Sequence, residues 1–376
     1  MDPEFPERQV TVAAPDQAEP AETRFLKWVL LGRQGVRTGW SIALFLVVYF
    51  LASIIFGAIG FLAIARPYHM NLESFTPGVA LFTEIIQVVA VVSAMAACAL
   101  VERRSLLDYN LRGKNQVVQF LVGGLCGAVA LSALIAALHA GGWLQFGSVS
   151  HDAAGIAKYA TVWGAVFLLT GAAEEGSTRC YLLFTLNRGI NYRWALGTVL
   201  AFCAFTALNT QSHGPYGVYA AAALGVVPCL ILHLKRASSA TFWQAAWLTS
   251  TLFGYIHTFN HGEVSVGIFS AAEIGFLCCV SIRLLGSAWW AIGFHAAWDW
   301  MQTYFYGTPD SGLAPKGSLF TTSPSGTAYW SGGSAGPEGS VLVIPVVFLV
   351  LIALVALYGR KARTESTSPA AQPQLS

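Results

Sequence analysis

Residues 39–65 read GWSIALFLVVYFLASIIFGAIGFLAIA, 27 residues without one charged side chain. As an α-helix at about 1.5 Å per residue, this run is roughly 40 Å long and more than spans a hydrocarbon core of about 30 Å. A secretory signal core needs only about 7–15 apolar residues, so the run reads as a retained span. Further runs of similar character occupy 79–101, 117–138, 159–186, 194–208, 216–234, 242–257, 266–282, 288–304 and 341–358. In lipid every backbone polar group must be bonded within the segment, so each run is expected as a helix. The expected fold is an all-α polytopic transmembrane bundle of about ten spans, 194–208 being short enough to be re-entrant.

Composition agrees with that reading. Charged residues make up 11% of the 376 residues and hydrophobic residues 55%. Mean hydropathy is +0.57. A soluble domain carries roughly 25% charged residues, so an ordinary soluble enzyme, a disordered chain and a fibrous repeat are excluded. The net charge of +2 argues against nucleic acid as a partner. The seven cysteines lie in or beside apolar runs with no CxxC pair, as small packing residues do.

Between the spans, charge sets the orientation. With the N-terminus in the cytoplasm and sides alternating, 17 of the 21 Lys and Arg residues fall on the cytoplasmic side. Only Arg66, Lys158 and Lys316 fall outside, and Arg179 lies within a span. This bias places both termini in the cytoplasm. The organisation then reads as a tail (1–38), N-terminal spans (39–138), a membrane core (159–304) with a two-span insertion at 194–234, an external loop (307–340), a last span (341–358) and a disordered tail (359–376). Residues 24–37 alternate basic and apolar side chains and suit a helix on the membrane surface. The Gly/Ser-rich loop 307–340 is long enough to serve as a lid. The lipid bilayer is the expected partner, and a bacterial plasma membrane the expected location.

Ionisable side chains inside spans cost about 2.5–3.5 kcal/mol each on insertion scales and mark function by default. Here they are Glu84, Glu174, Glu175, Arg179, His233, His257, Glu273, His295 and Asp299. In GAAEEGSTRCYL (171–182), Glu175 and Arg179 stand four apart on one helical face, acid first, as an ion pair prefers. Glu174 is turned away by about 100° and lacks that partner, which suits a general acid or base. In TLFGYIHTFNHGE (251–263), Phe253 and His257 share a face and Asn260 follows within a turn. In WWAIGFHAAWDWMQ (289–302), His295 and Asp299 are four apart among tryptophans that include Trp298. Each motif alone also reads as structure: a locked ion pair, an interfacial histidine, an aromatic belt. Together they supply a base, an imidazole and polar groups for an oxyanion.

The order EExxxR, FxxxH, HxxxD resembles the CPBP family, also called Abi, the type II CAAX prenyl endopeptidases and bacteriocin-processing proteins. The resemblance covers about residues 159–304. It implies an intramembrane endopeptidase acting on a membrane-associated peptide or protein. It implies that Glu174 and His257 activate water, that His295 and Asp299 stabilise the oxyanion, and that Glu175 with Arg179 supports the site. Phe253, Asn260 and Trp298 are expected against the substrate. No cofactor is expected for a glutamate base. Zn²⁺ on Glu174, His257, His295 and Asp299 is the alternative, since family members are often described as metalloproteases.

Three features depart from the family pattern. Gly176-Ser177-Thr178 and Cys180 stand where bulky residues and a glycine are usual, and predict looser packing there. Asp299 stands where Asn is common, so it must be protonated or act by orienting His295. The separation of Glu175 from His257 is long, as the insertion explains. Straight helices also put Glu174 about 22 Å below Tyr159 at the outer face and His257 about 22 Å from Phe242 at the inner face, which are unequal depths. A proton-relaying transporter and an inactive partner-binding relative are the competing functions.

Overall fold

The computed structural model describes residues 21–32, 35–149, 151–189, 197, 227–235, 239–260, 262–310 and 312–367. Helix α1 (Ala21–Leu30) and a strand pair, β1 (Leu31–Gly32) with β2 (Gly35–Val36), lead into α2 (Thr38–Gly60), which continues as a π-helical turn to Ala65. Next come α3 (Pro77–Glu102), α4 (Gln116–Ala140), β3 (Leu144–Val149) and α5 (Ala153–Glu175). A π-helical stretch, Gly176–Leu182, joins α5 to α6 (Leu183–Gly189). Then follow α7 (Ala240–Ile256), α8 (Ser265–Leu285), α9 (Trp289–Asp299) with its π-helical extension to Phe305, β4 (Phe320–Pro324) and α10 (Val343–Thr367).

The described chain is mostly helical. Five helices are long and apolar enough to cross a membrane by length and composition: Thr38–Ala65, Pro77–Glu102, Gln116–Ala140, Ala153–Gly189 and Ser265–Leu285. Helix α7 and the apolar part of α10, Val343–Gly359, are shorter. The expected spans at 194–208 and 216–234, and with them the insertion, lie outside the described residues apart from 197 and 227–234. Little sheet accompanies the helices. Strand β3 pairs antiparallel with β4, from Leu144 opposite Pro324 to Val149 opposite Phe320. Both strands lie in connections between helices, where the backbone is free to bond across segments.

Helix ends follow local chemistry. Thr76 caps α3, its Oγ1 accepting from the Val79 amide, and Pro77 occupies the first turn where no amide partner is needed. Asp152 Oδ1 accepts from the Gly155 amide at 2.9 Å and caps α5. Gly286, at φ 79°, closes α8 in the left-handed conformation that glycine adopts without strain.

Helices α4 and α9 cross at backbone contact. A Cβ on Gly123 would overlap the Trp290 carbonyl oxygen, one on Gly127 the Phe294 carbonyl oxygen, and one on Gly293 the Phe120 carbonyl oxygen. Small residues permit such approach in membranes, where helix association relies on packing rather than water exclusion. Gly127→Val should therefore force the helices apart, costing about 1–3 kcal/mol or more. Gly124→Ala, whose Cβ would sit 3.5 Å from its nearest neighbour, should be tolerated. Thermal unfolding of the two variants in detergent checks this, and equal melting temperatures would contradict it.

The two ends of the bundle differ. At one end, α1 is held to the start of α2 by Arg37 and Trp40, whose side chains donate to the Trp28 and Val29 carbonyls. Arg188 and Arg104 meet Glu102 there, and Arg283 donates to Ser239. At the other end, the 66–76 connection, the β3–β4 pair and the 306–342 connection pack together. The Lys316 amide donates to the Phe75 carbonyl, Trp163 Nε1 to the Lys316 carbonyl and Tyr304 Oη to the Ile156 carbonyl. The unequal depths expected of Glu174 and His257 do not keep them apart, since both line one cavity.

Candidate active site

The three motifs converge beside one cavity of about 290 Å³. Glu174 from the end of α5, Phe253 from α7, His257 just beyond it, and His295, Trp298 and Asp299 from α9 all line it. Glu175 and Arg179 lie directly behind, fully buried. Asn260 caps the turn after His257 and is not among the lining residues.

His295 is the hub. Its Nδ1 lies 2.9 Å from Glu175 Oε1, and its Nε2 lies 3.3 Å from Asp299 Oδ2 and 3.7 Å from Glu174 Oε2. Ionised carboxylates only accept hydrogen bonds, so a ring that donates from both nitrogens satisfies these partners. Asp299 is thus within reach of His295 Nε2 from one turn along the same helix. Glu175 Oε1 is also 3.4 Å from Arg179 Nη1, the pair expected at this spacing.

His257 has a defined tautomer. Its Nδ1 lies 2.7 Å from the Phe253 carbonyl oxygen, which can only accept, so Nδ1 carries the proton. In the neutral ring Nε2 then holds the free lone pair. Phe253 sits at the centre of the cluster. The Arg179 guanidinium carbon is 4.1 Å from its ring centroid, and the His257 and His295 ring centroids are at 4.6 and 6.2 Å. An aromatic face is a favourable neighbour for a desolvated guanidinium.

The looser packing expected at 176–180 is not found. Gly176, Thr178, Arg179 and Cys180 are all buried in the π-helical stretch. Thr178 Oγ1 donates to the Glu174 carbonyl and accepts from Arg179 Nη1 at 2.6 Å. The wider π turn leaves carbonyls without their usual partners, and small hydroxyl side chains fold back to fill that need. Asn110 Nδ2 donates to the Arg179 carbonyl at 2.8 Å, another such bond.

Four acids escaped the motif reading, Glu73 of the 66–76 connection among them. Glu84 of α3 lines the cavity, and was visible in the sequence only as one more ionisable residue in a span. Asp310 and Glu338 reach it from the 307–340 loop. Glu338 Oε1 accepts from Trp298 Nε1 at 2.8 Å, so Trp298 holds the loop. Asp310 Oδ2 accepts from Thr303 at 2.8 Å. No spacing signal links residues 310 and 338 to the motifs, because loop docking is a long-range event.

Burial and the nearby carboxyls of Asp310, Asp299 and Glu263 push the Glu338 carboxyl well above its ordinary range. The folded protein therefore holds this proton more tightly than the unfolded chain does. Its contribution to stability is full below the ordinary carboxyl range and is lost as pH rises through the raised value. Glu338→Gln keeps an acceptor for Trp298 and removes the titration. The variant should show a flatter fall of melting temperature with rising pH than the parent; parallel curves would contradict this.

The carbonyl bond at His257 Nδ1 leaves Nε2 available, as in an imidazole that binds water and equally in one that ligates a metal. Among the described residues no group of three or more His, Cys, Asp and Glu side chains could hold a metal ion.

Residues 229–301 match the family described as Type II CAAX prenyl endopeptidase Rce1-like. This is the family that the order of motifs resembles. The Rce1-like stretch contains α7, α8 and α9, and with them Phe253, His257, His295 and Asp299. Glu174, Glu175 and Arg179 lie before it and are joined to it in space through His295. No curated protein and no solved structure matches the chain.

Proposed function

We propose that this protein is an integral membrane endopeptidase of the CAAX protease kind, in which Glu174 is the general base. Water sits between the Glu174 carboxylate and His257 Nε2. It attacks the scissile carbonyl as Glu174 takes its proton. The new C–O bond leaves a tetrahedral oxyanion, and His295 Nε2–H is the donor for that charge. The C–N bond then breaks, and the proton held by Glu174 passes to the leaving amine. Glu175, Arg179 and Asp299 hold His295 in place, and Phe253 keeps both imidazoles and the guanidinium in register.

The observation that carries this reading is the convergence of Glu174, His257, His295 and Asp299 on one cavity. Their fixed donors and acceptors need little reorganisation during reaction, which is where electrostatic catalysis gains most. A transporter requires no such paired base and oxyanion donor. Ten spans, cytoplasmic termini, a core at 159–304 and a bacterial plasma membrane complete the proposal. The substrate is a membrane-anchored peptide or protein, and the bilayer brings the two together.

The full chain reconstituted in liposomes with a membrane-anchored peptide should cleave it, and His257→Ala should not. Cleavage should survive dialysis against a chelator. Loss on chelation, with recovery on adding Zn²⁺, would replace the glutamate base with metal chemistry.

A further inference from the structure

The cavity reaches the loops at one end of the bundle, and that end is the one poor in basic residues. Its walls include Leu72–Phe75 from the 66–76 connection and Asp310, Leu313 and Glu338 from the 306–342 connection. Among the described residues the only Lys and Arg at this end are Arg66 and Lys316 in the connections and Lys158 in the second turn of α5. The opposite end carries Arg24, Lys27, Arg37, Arg103, Arg104, Arg112, Lys114, Arg188, Lys235 and Arg283.

Helix α1 adds an independent sign. It lies at the basic end with Phe25, Leu26 and Trp28 exposed at 61%, 56% and 68%, next to Arg24 and Lys27. Exposed apolar and aromatic side chains beside cations suit the interface of an anionic leaflet, which is the cytoplasmic one. Lys and Arg in short connections mark the cytoplasmic side by the same logic.

The geometry points to a catalytic cavity fed from the extracytoplasmic side, resting on the endopeptidase reading above. Its substrates are then segments of anchored proteins at or beyond the outer leaflet. A CAAX tail presented at the cytoplasmic leaflet would meet the opposite, basic end. The 306–342 connection is the surface such a segment must pass. Trp298 anchors it through Glu338, and Ser270 Oγ donates to the Glu338 carbonyl at 3.0 Å.

Two measurements test this on the full chain expressed in bacteria. Tyr68→Cys, exposed at the cavity end, and Lys114→Cys, exposed at the opposite end, are treated with a membrane-impermeant maleimide and read against the parent chain. Tyr68→Cys should label in intact cells and Lys114→Cys only in inverted vesicles; the reverse overturns the proposal. In the second, one peptide library is fused on either side of a single-span anchor. Cleavage should occur only with the library outside, and cleavage only with it inside overturns the proposal. If labelling is as expected and neither fusion is cut, the endopeptidase reading fails while the orientation of the cavity stands.

Discussion

Glu174→Gln should lower turnover of an anchored peptide by about 10²–10⁴-fold, the usual contribution of a positioned base. Glutamine keeps the size of the side chain and an acceptor oxygen, but cannot take the proton from water. Glu174 lines the cavity, with His295 Nε2 at 3.7 Å as its ionic neighbour. It is therefore free to bind water, whereas Glu175 is spent on Arg179 and His295. Because Glu174 faces a cavity rather than the sealed interior, the substitution should leave the melting temperature nearly unchanged. The measurement is kcat in proteoliposomes beside an unfolding curve in detergent. Parental turnover by Glu174→Gln would remove it as the base. Loss of the folded protein would instead assign it to the structural network.

Arg179→Met should destabilise the protein by about 3–5 kcal/mol, the usual consequence of leaving one member of a buried ion pair alone. Arg179 is fully buried, 3.4 Å from Glu175 Oε1 and 2.6 Å from Thr178 Oγ1, with its guanidinium 4.1 Å from the Phe253 ring. Without it, the charge on Glu175 is left to His295 alone. Lysine is a poor substitute, because a point charge does not reproduce the planar contact with Phe253. Adding Glu175→Gln should recover much of the stability lost by Arg179→Met, since the stranded charge goes with it. Melting temperatures of the parent, the two single variants and the double variant measure this coupling. A double variant no more stable than Arg179→Met would show that packing, not charge, carries the effect. Turnover should stay low in the double variant, because His295 loses the partner that fixes its Nδ1.

By itself the sequence determined what is local along the chain. Hydropathy located the five long apolar helices, because crossing lipid needs an unbroken run that can be read residue by residue. Helical spacing paired Glu175 with Arg179, Phe253 with His257 and His295 with Asp299, since residues four apart share a face in any α-helix. Tertiary structure alone decided that His295 sits between Glu174, Glu175 and Asp299, because helix crossing angles depend on contacts such as Gly127 against Phe294. It alone brought Glu338 and Asp310 to the cavity, paired β3 with β4, and turned Gly176–Leu182 into a packed π-helical stretch. It also chose the loops that the cavity reaches. Each of these joins residues far apart in the chain, and no periodicity records a contact between segments whose relative rotation is set only by packing.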